Sequence, residues 1–73
     1  MTIPQQATFD SSVLASAAYD GPQSMLQLAF RSGSLYRYFD VDCNVWEALL
    51  AAESKGTFFH HAIRGRFRFA RLK

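Results

Sequence analysis

A chain of 73 residues that is 49% hydrophobic and 15% aromatic can form one small domain with a core of bulky side chains. Its single cysteine excludes an intramolecular disulfide and a paired-thiol metal site, and its net charge of +2 is modest. The sequence has no run of roughly 18 apolar residues and no basic start followed by an apolar run. We therefore expect a cytoplasmic protein without a signal peptide or a membrane partner.

The first ten residues show no clear period, so residues 1–10 are predicted to form a flexible N-terminal arm ahead of one domain, residues 11–73. Small and β-branched residues over 13–19, followed by the Asp20-Gly21-Pro22 breaker, predict the first strand of that domain. The alanines of this segment are also compatible with a helix, which is the alternative.

The next two segments predict a β-hairpin, because residues 25–30 alternate in polarity and Gly33 follows them in a turn. A loop of three residues that ends at Gly33 would place Tyr36 and Tyr38 on the apolar face of the hairpin. A loop of two residues would turn both tyrosines to the opposite face. We favour the three-residue loop, because it keeps glycine at the position that requires a positive φ.

Helical spacing of apolar residues predicts an amphipathic helix over residues 43–53, with Asp42 as its N-cap. Ser54 can cap a second, short helix that ends at Gly65. The alternating residues 66–72 then predict a final strand. The order is β-β-β-α-α-β, an α+β fold in which a small antiparallel sheet carries two helices on one face.

Charge is unevenly distributed along this order. Residues 1–54 carry all six acids against two cations, Arg31 and Arg37, a net charge of −4, whereas residues 55–73 carry six cations and no acid. On a final strand, Arg66 and Arg68 would project to one face, and Arg64 would extend the row along a phosphate backbone. The alternative is a solvated face that keeps an edge strand from aggregating.

Three further residues are candidates for nucleic-acid contacts. Tyr36 and Tyr38 could stack on unpaired bases, but the favoured register places both rings in the core, which is the interpretation we prefer. Lys55 begins the second helix and could hold one phosphate, although a turn between helices explains it as well. The complete candidate set comprises aromatic and basic side chains: Tyr36, Tyr38, Arg37, Lys55, Arg64, Arg66, Arg68 and Arg71.

The sequence gives no basis for catalysis or for a metal or other cofactor. His60 and His61 are adjacent and would diverge by about 100° on a helix, so they cannot easily hold one metal ion together. No Ser-His-Asp set or usefully spaced carboxylate pair occurs. Cys43 at a helix start could have a lowered pKa, but a small helix-start residue is the simpler interpretation. We expect no small-molecule substrate.

Several short motifs together resemble the KTSC domain family: Gly33 to Tyr38 with its Tyr-Arg-Tyr centre, Ala52 to Gly56, Phe58-Phe59, and Ile63 to Phe67. The resemblance covers roughly residues 10–70. The family takes its name from the C-terminal extension of some lysyl-tRNA synthetases and also occurs as small stand-alone bacterial and phage proteins. The resemblance implies a non-enzymatic domain for which RNA binding has been suggested.

Two hypotheses for function follow. The first is a small module that binds RNA weakly through its basic C-terminal strand and aromatic residues. The alternative is a protein-interaction or homodimerisation module that uses the outer face of the sheet, where we expect apolar side chains around Gln27 and Arg37. The apolar side chains of that face are Met25, Ala29, Leu35 and Phe39.

Overall fold

The computed structural model describes residues 5–73, which form an α+β domain with a five-stranded antiparallel sheet in the order β1-β2-β3-β4-β5. The strands are β1 (Gln5–Thr8), β2 (Leu14–Asp20), β3 (Met25–Phe30), β4 (Leu35–Tyr38) and β5 (Phe69–Arg71). The helices are α1 (Cys43–Ala51) and α2 (Lys55–Phe58), and α2 continues into a π-helical turn, Phe59–Ile63. The predicted fold class and order are confirmed, with one additional strand at the N-terminal edge of the sheet.

The additional strand lies in the segment predicted to be a flexible arm. Gln5–Thr8 pairs with β2, and the indole of Trp46 donates a hydrogen bond to the Gln5 side chain at 2.9 Å. Ala7 is half-buried while its three strand neighbours are exposed, so this edge strand has too little apolar alternation to be recognised in the sequence. The first four residues of the predicted arm lie outside the described residues.

The hairpin has the predicted three-residue loop. Leu28 pairs with Tyr36 and Leu26 with Tyr38, which places both tyrosines on the inner, helix-facing side of the sheet. Gly33 adopts a φ of +97°, and its N–H donates to the Phe30 carbonyl at 2.9 Å. Glycine therefore occupies the one loop position whose backbone conformation favours it.

Both helices begin at their predicted caps and pack on the inner face. Asp42 accepts from the Asn44 N–H at 2.8 Å, and Ser54 accepts from the Thr57 N–H at 3.2 Å. The helices contribute the buried side chains of Trp46, Leu49, Phe59 and Ile63 to a core that also includes side chains of β2, β3 and β4. No helix within residues 5–73 is long and apolar enough to cross a membrane.

The C-terminal strand is shorter than predicted. Gly65, with a φ of +74°, and Arg66 lie in a turn that is closed by a hydrogen bond from the Arg66 N–H to the Ile63 carbonyl at 3.0 Å. Strand β5 begins only at Phe69 and pairs Tyr38 with Phe69 and Tyr36 with Arg71. Arg66 and Arg68 therefore do not form a row on one strand face, because neither belongs to the strand.

Candidate functional site

An open groove lies at the end of the inner face where the helical cover stops. Its volume is about 550 Å³, and it runs between strands β3, β4 and β5 and the end of the π-helical turn. We call it the aromatic groove, because most of its walls are rings. It is lined by Phe30, Ser32, Ser34, Tyr36, Tyr38, Phe59, Arg64, Gly65 and Phe69.

The five rings of the groove form one contact cluster. The Phe69 ring centroid lies 5.6 Å from that of Tyr36 and 5.9 Å from that of Tyr38, and the Phe59 and Phe30 rings meet edge to face at 5.1 Å. Phe69 is 57% exposed, because it projects from an edge strand beyond the reach of the helices. The cluster therefore presents one largely free ring above a packed aromatic wall.

The two candidate tyrosines have different surroundings. Tyr38 is only 4% exposed and packs in the core, as preferred from the sequence, whereas Tyr36 is half-buried and borders the groove. Burial raises the pKa of Tyr38 to about 12, and the adjacent Tyr36 acts in the same direction against a smaller opposite effect of Arg64. The Tyr38 hydroxyl is therefore protonated at neutral pH.

Two guanidinium groups from separate elements flank the groove. Arg71 on β5 lies over the Tyr36 ring at 5.9 Å and donates to the Ser34 hydroxyl at 3.3 Å. Arg64 follows the π-helical turn, and its guanidinium lies 3.4 Å from Nδ1 of His60. Both side chains are exposed, and no acidic residue is among those that line the groove. The site is therefore positively charged and apolar at once.

The remaining basic candidates lie elsewhere or have other partners. Lys55 donates to the carbonyls of Leu50 and Ala52 at 2.9 and 2.6 Å, so it caps the C-terminus of α1, and the structure supports the turn interpretation of this lysine. Arg68 forms an ion pair with Asp40 at 3.2 Å, on a fully solvated surface.

The last two basic candidates differ in their distance from the groove. Arg37 projects from the outer face and donates to Gln27 at 3.4 Å. Arg66 is exposed in the turn next to Gly65, which lines the groove. The structure thus brings Tyr36, Tyr38, Arg64 and Arg71 together, places Arg66 beside them, and separates the other three candidates from them.

The outer face of the sheet is less apolar than its sequence implies. It holds a shallow depression of about 440 Å³ lined mainly by small and polar side chains, including Gln6, Thr8, Ser16 and Gln27. The four apolar side chains expected there are all half-buried rather than exposed. The large hydrophobic side chains that are exposed among the described residues are Leu50, Phe69 and Leu72.

Three aromatic residues of the groove, Phe30, Phe59 and Phe69, are not among the candidate site residues predicted from the sequence. Their positions in the sequence predict only a hairpin strand for Phe30, a helix for Phe59 and the final strand for Phe69. The available signal for Phe69 is its position on the final strand, which one interpretation of the arginines makes an edge strand. Nothing in the sequence signals the π-helical turn that carries Phe59 and directs the chain to Arg64.

Within residues 5–73, no three His, Cys, Asp or Glu side chains lie together as a metal site would require. Cys43 is exposed at the start of α1. Desolvation and the neighbouring charge of Asp42 raise the pKa of its thiol, which is opposite to the shift that activates a cysteine.

Comparison with known proteins places the chain in a family. The KTSC domain matches residues 10–67, so the chain belongs to the KTSC domain family. A crystal structure of a KTSC domain protein from Yersinia pestis superimposes with a TM-score of 0.92 at 31% identity, over 97% of this chain and 100% of the other.

Two relatives show how the domain occurs. A protein of Tsukamurella paurometabola is 40% identical over 63 residues, which are 86% of this chain and 94% of that protein. A lysine–tRNA ligase of a Nostoc species is also 40% identical over 63 residues, but these are only 11% of the ligase. The same domain is therefore found as nearly a whole small protein and as a minor part of a large one.

Proposed function

We propose that this domain is a non-enzymatic RNA-binding module that contacts RNA at the aromatic groove. The observation that carries the proposal is the convergence of Arg64 and Arg71, from separate elements, on an open groove whose lining contains no acid. Among the described residues, Arg64 contacts His60 and Arg71 donates to Ser34 and to the Lys73 carbonyl, so neither guanidinium has an acidic side-chain partner. A nucleic-acid backbone supplies the phosphates that such groups bind best.

Charge geometry favours weak, salt-sensitive binding. Arg64, Arg66 and Arg71 are the exposed arginines at or beside the groove, and each can contact one phosphate. The basic residues that stabilise the fold or pair with an acid, Lys55 and Arg68, are not part of this surface. We therefore expect the RNA affinity of a surface with three phosphate contacts rather than five or six.

The relatives supply independent support for RNA as the partner. Lysine–tRNA ligases carry the domain and are, by their name, proteins that act on tRNA. A π-helical turn at the margin of the groove is a second supporting feature, because such turns occur frequently at functional sites. A cytoplasmic location is part of this proposal.

The alternative, a protein-interaction or homodimer surface on the outer face of the sheet, has less support. The apolar side chains there are half-buried, and Arg37 and Gln27 hydrogen-bond to each other across the face. A flat surface of small and polar residues provides little apolar area to bury against a partner.

Fluorescence anisotropy with a labelled tRNA and a labelled single-stranded RNA, at several salt concentrations, tests the proposal. For three phosphate contacts, the logarithm of the affinity should fall against the logarithm of salt with a slope of about −2, since each contact contributes about −0.7. The double variant Arg64→Gln/Arg71→Gln should bind more weakly and reduce the slope to about −0.7.

The matched control is Arg37→Gln/Arg68→Gln, which removes the same charge from residues outside the groove. It should keep the wild-type slope. Equal losses in both double variants would show that net charge alone attracts the RNA, and no binding by the wild type even at low salt would exclude the proposed function.

A further inference from the structure

We infer that the aromatic groove holds one unpaired nucleobase, stacked on Phe69, so that the domain selects single-stranded over duplex RNA. This inference depends on the proposed RNA binding and goes beyond it, because arginine–phosphate contacts alone do not distinguish paired from unpaired strands. The distinction lies in whether the ring cluster takes part.

The exposure of the five rings identifies the stacking position. Tyr38 and Phe59 are 4% and 8% exposed, so their faces are already occupied by core contacts. Phe69 is 57% exposed and Tyr36 borders the groove beside it. A large exposed ring that sits on other rings rather than on aliphatic side chains offers a flat, polarisable surface of the kind on which bases stack.

The volume of the groove fits a single nucleotide. The groove volume of about 550 Å³ lies within the range of about 300–1,000 Å³ found for small-molecule pockets. A groove of this volume is far too small for two paired strands. A base in a duplex is stacked on both faces and cannot reach the ring without leaving the helix. Only a strand with unpaired bases can therefore fill the groove without an unpairing cost.

Polar groups around Phe69 match the other parts of a nucleotide. Arg71 lies over the Tyr36 ring and Arg64, from a separate element, lines the groove, so a phosphate next to the stacked base can meet a guanidinium. The Ser32 and Ser34 hydroxyls line the same groove 3.4 Å apart and can donate to or accept from a base edge or a ribose hydroxyl. These groups explain why the groove is not purely apolar.

The test compares three probes of equal backbone charge per strand: a short single-stranded RNA, the same strand annealed to its complement, and the same strand with abasic residues. The wild type should bind the single strand about 5- to 140-fold more tightly than the abasic strand, as expected for one stacked base. It should also prefer the single strand to the duplex.

Phe69→Ala should lower the affinity for the single strand to that for the abasic strand while leaving the salt slope unchanged, because no phosphate contact is lost. Phe69→Leu, which keeps an apolar side chain at the edge of the sheet, should show the same loss of base preference and guards against an effect of unfolding. Leu50→Ala is the matched control, since Leu50 is 42% exposed on α1, away from the groove.

The possible results separate this inference from the proposed function. If the wild type binds the abasic strand or the duplex as tightly as the single strand, or if Phe69→Ala keeps the base preference, RNA binding stands and the stacked base is excluded. If none of the three probes binds, the proposed function fails and this inference fails with it.

Discussion

Each end of the inner sheet face carries a tyrosine whose ring faces inward, but one ring is buried and the other borders an open groove. Tyr19 on β2 is 2% exposed, stacks on Trp46 at 5.7 Å, and donates its hydroxyl hydrogen to the Val41 carbonyl at 2.6 Å. Tyr36 on β4 borders an open groove. Strand alternation determines that each ring faces inward, but the reach of the helices determines whether that position is core or open groove.

This difference has an energetic reason. A small domain buries a limited fraction of its surface, so most of its stability must come from a few well-packed side chains. The closed end holds Trp46, whose ring stacks on Tyr19, and Leu49 of the same helix is fully buried in the core. We expect the open end to contribute less to stability, which would leave its exposed ring and arginines available for the proposed ligand.

The largest expected loss of unfolding free energy is that of Trp46→Ala at the closed end. Removing a buried tryptophan costs about 3–5 kcal/mol of unfolding free energy through lost burial and a cavity. The exposed Phe69 at the open end should cost far less when changed to alanine, about 0.5 kcal/mol. Chemical denaturation of both variants measures the contrast. Equal losses would contradict the division into a stabilising end and a binding end.

A second test concerns the contact between α2 and the bend that precedes β2. A Cβ atom on Gly56 would lie 2.9 Å from Cγ2 of Val13, so Gly56→Ala should force the helix away from the bend before β2 and cost about 1–3 kcal/mol. The double variant Gly56→Ala/Val13→Ala should recover part of this loss, and a thermodynamic cycle from denaturation curves measures the coupling. A fully additive cycle would show that the contact is not the cause.

These contacts also show what the sequence could reveal. Alternation and the turn glycine were sufficient for the hairpin register, and short-range capping was sufficient for both helix starts at Asp42 and Ser54. The arrangement of Arg64 and Arg71 was not predictable, because it depends on a π-helical turn and on a strand that starts three residues later than its alternation implies. Each helix start or turn depends on a few adjacent residues. The groove depends instead on where the π-helical turn ends and where β5 begins relative to β3 and β4.

A smaller effect separates the two tyrosines themselves. Tyr19→Phe removes a buried hydrogen bond and leaves the Val41 carbonyl without that donor, which should cost about 1–3 kcal/mol. Tyr36→Phe removes a hydroxyl at the open end and should change the unfolding free energy by less than about 0.5 kcal/mol. Matched denaturation curves at neutral pH test the pair, and a larger loss in Tyr36→Phe would reverse the comparison.

The last effect appears only in alkali and concerns Tyr38, where the closed core meets the groove. Burial raises its pKa to about 12 from the ordinary value of about 10. The folded state therefore holds the proton more tightly than the unfolded state, so the stabilisation is fully present below about pH 10 and is lost as the pH rises toward 12.

Unfolding free energies measured from pH 9 to 12 should fall more steeply for the wild type than for Tyr38→Phe, which has no hydroxyl to ionise. Burial also raises the pKa of Tyr19, so the variant should retain a residual decline rather than a flat profile. Identical profiles for the two proteins would mean that solvent from the groove reaches the Tyr38 hydroxyl as freely as in the unfolded chain. Tyr38 would then belong to the open groove, and the boundary of the core would lie beyond it in the sheet.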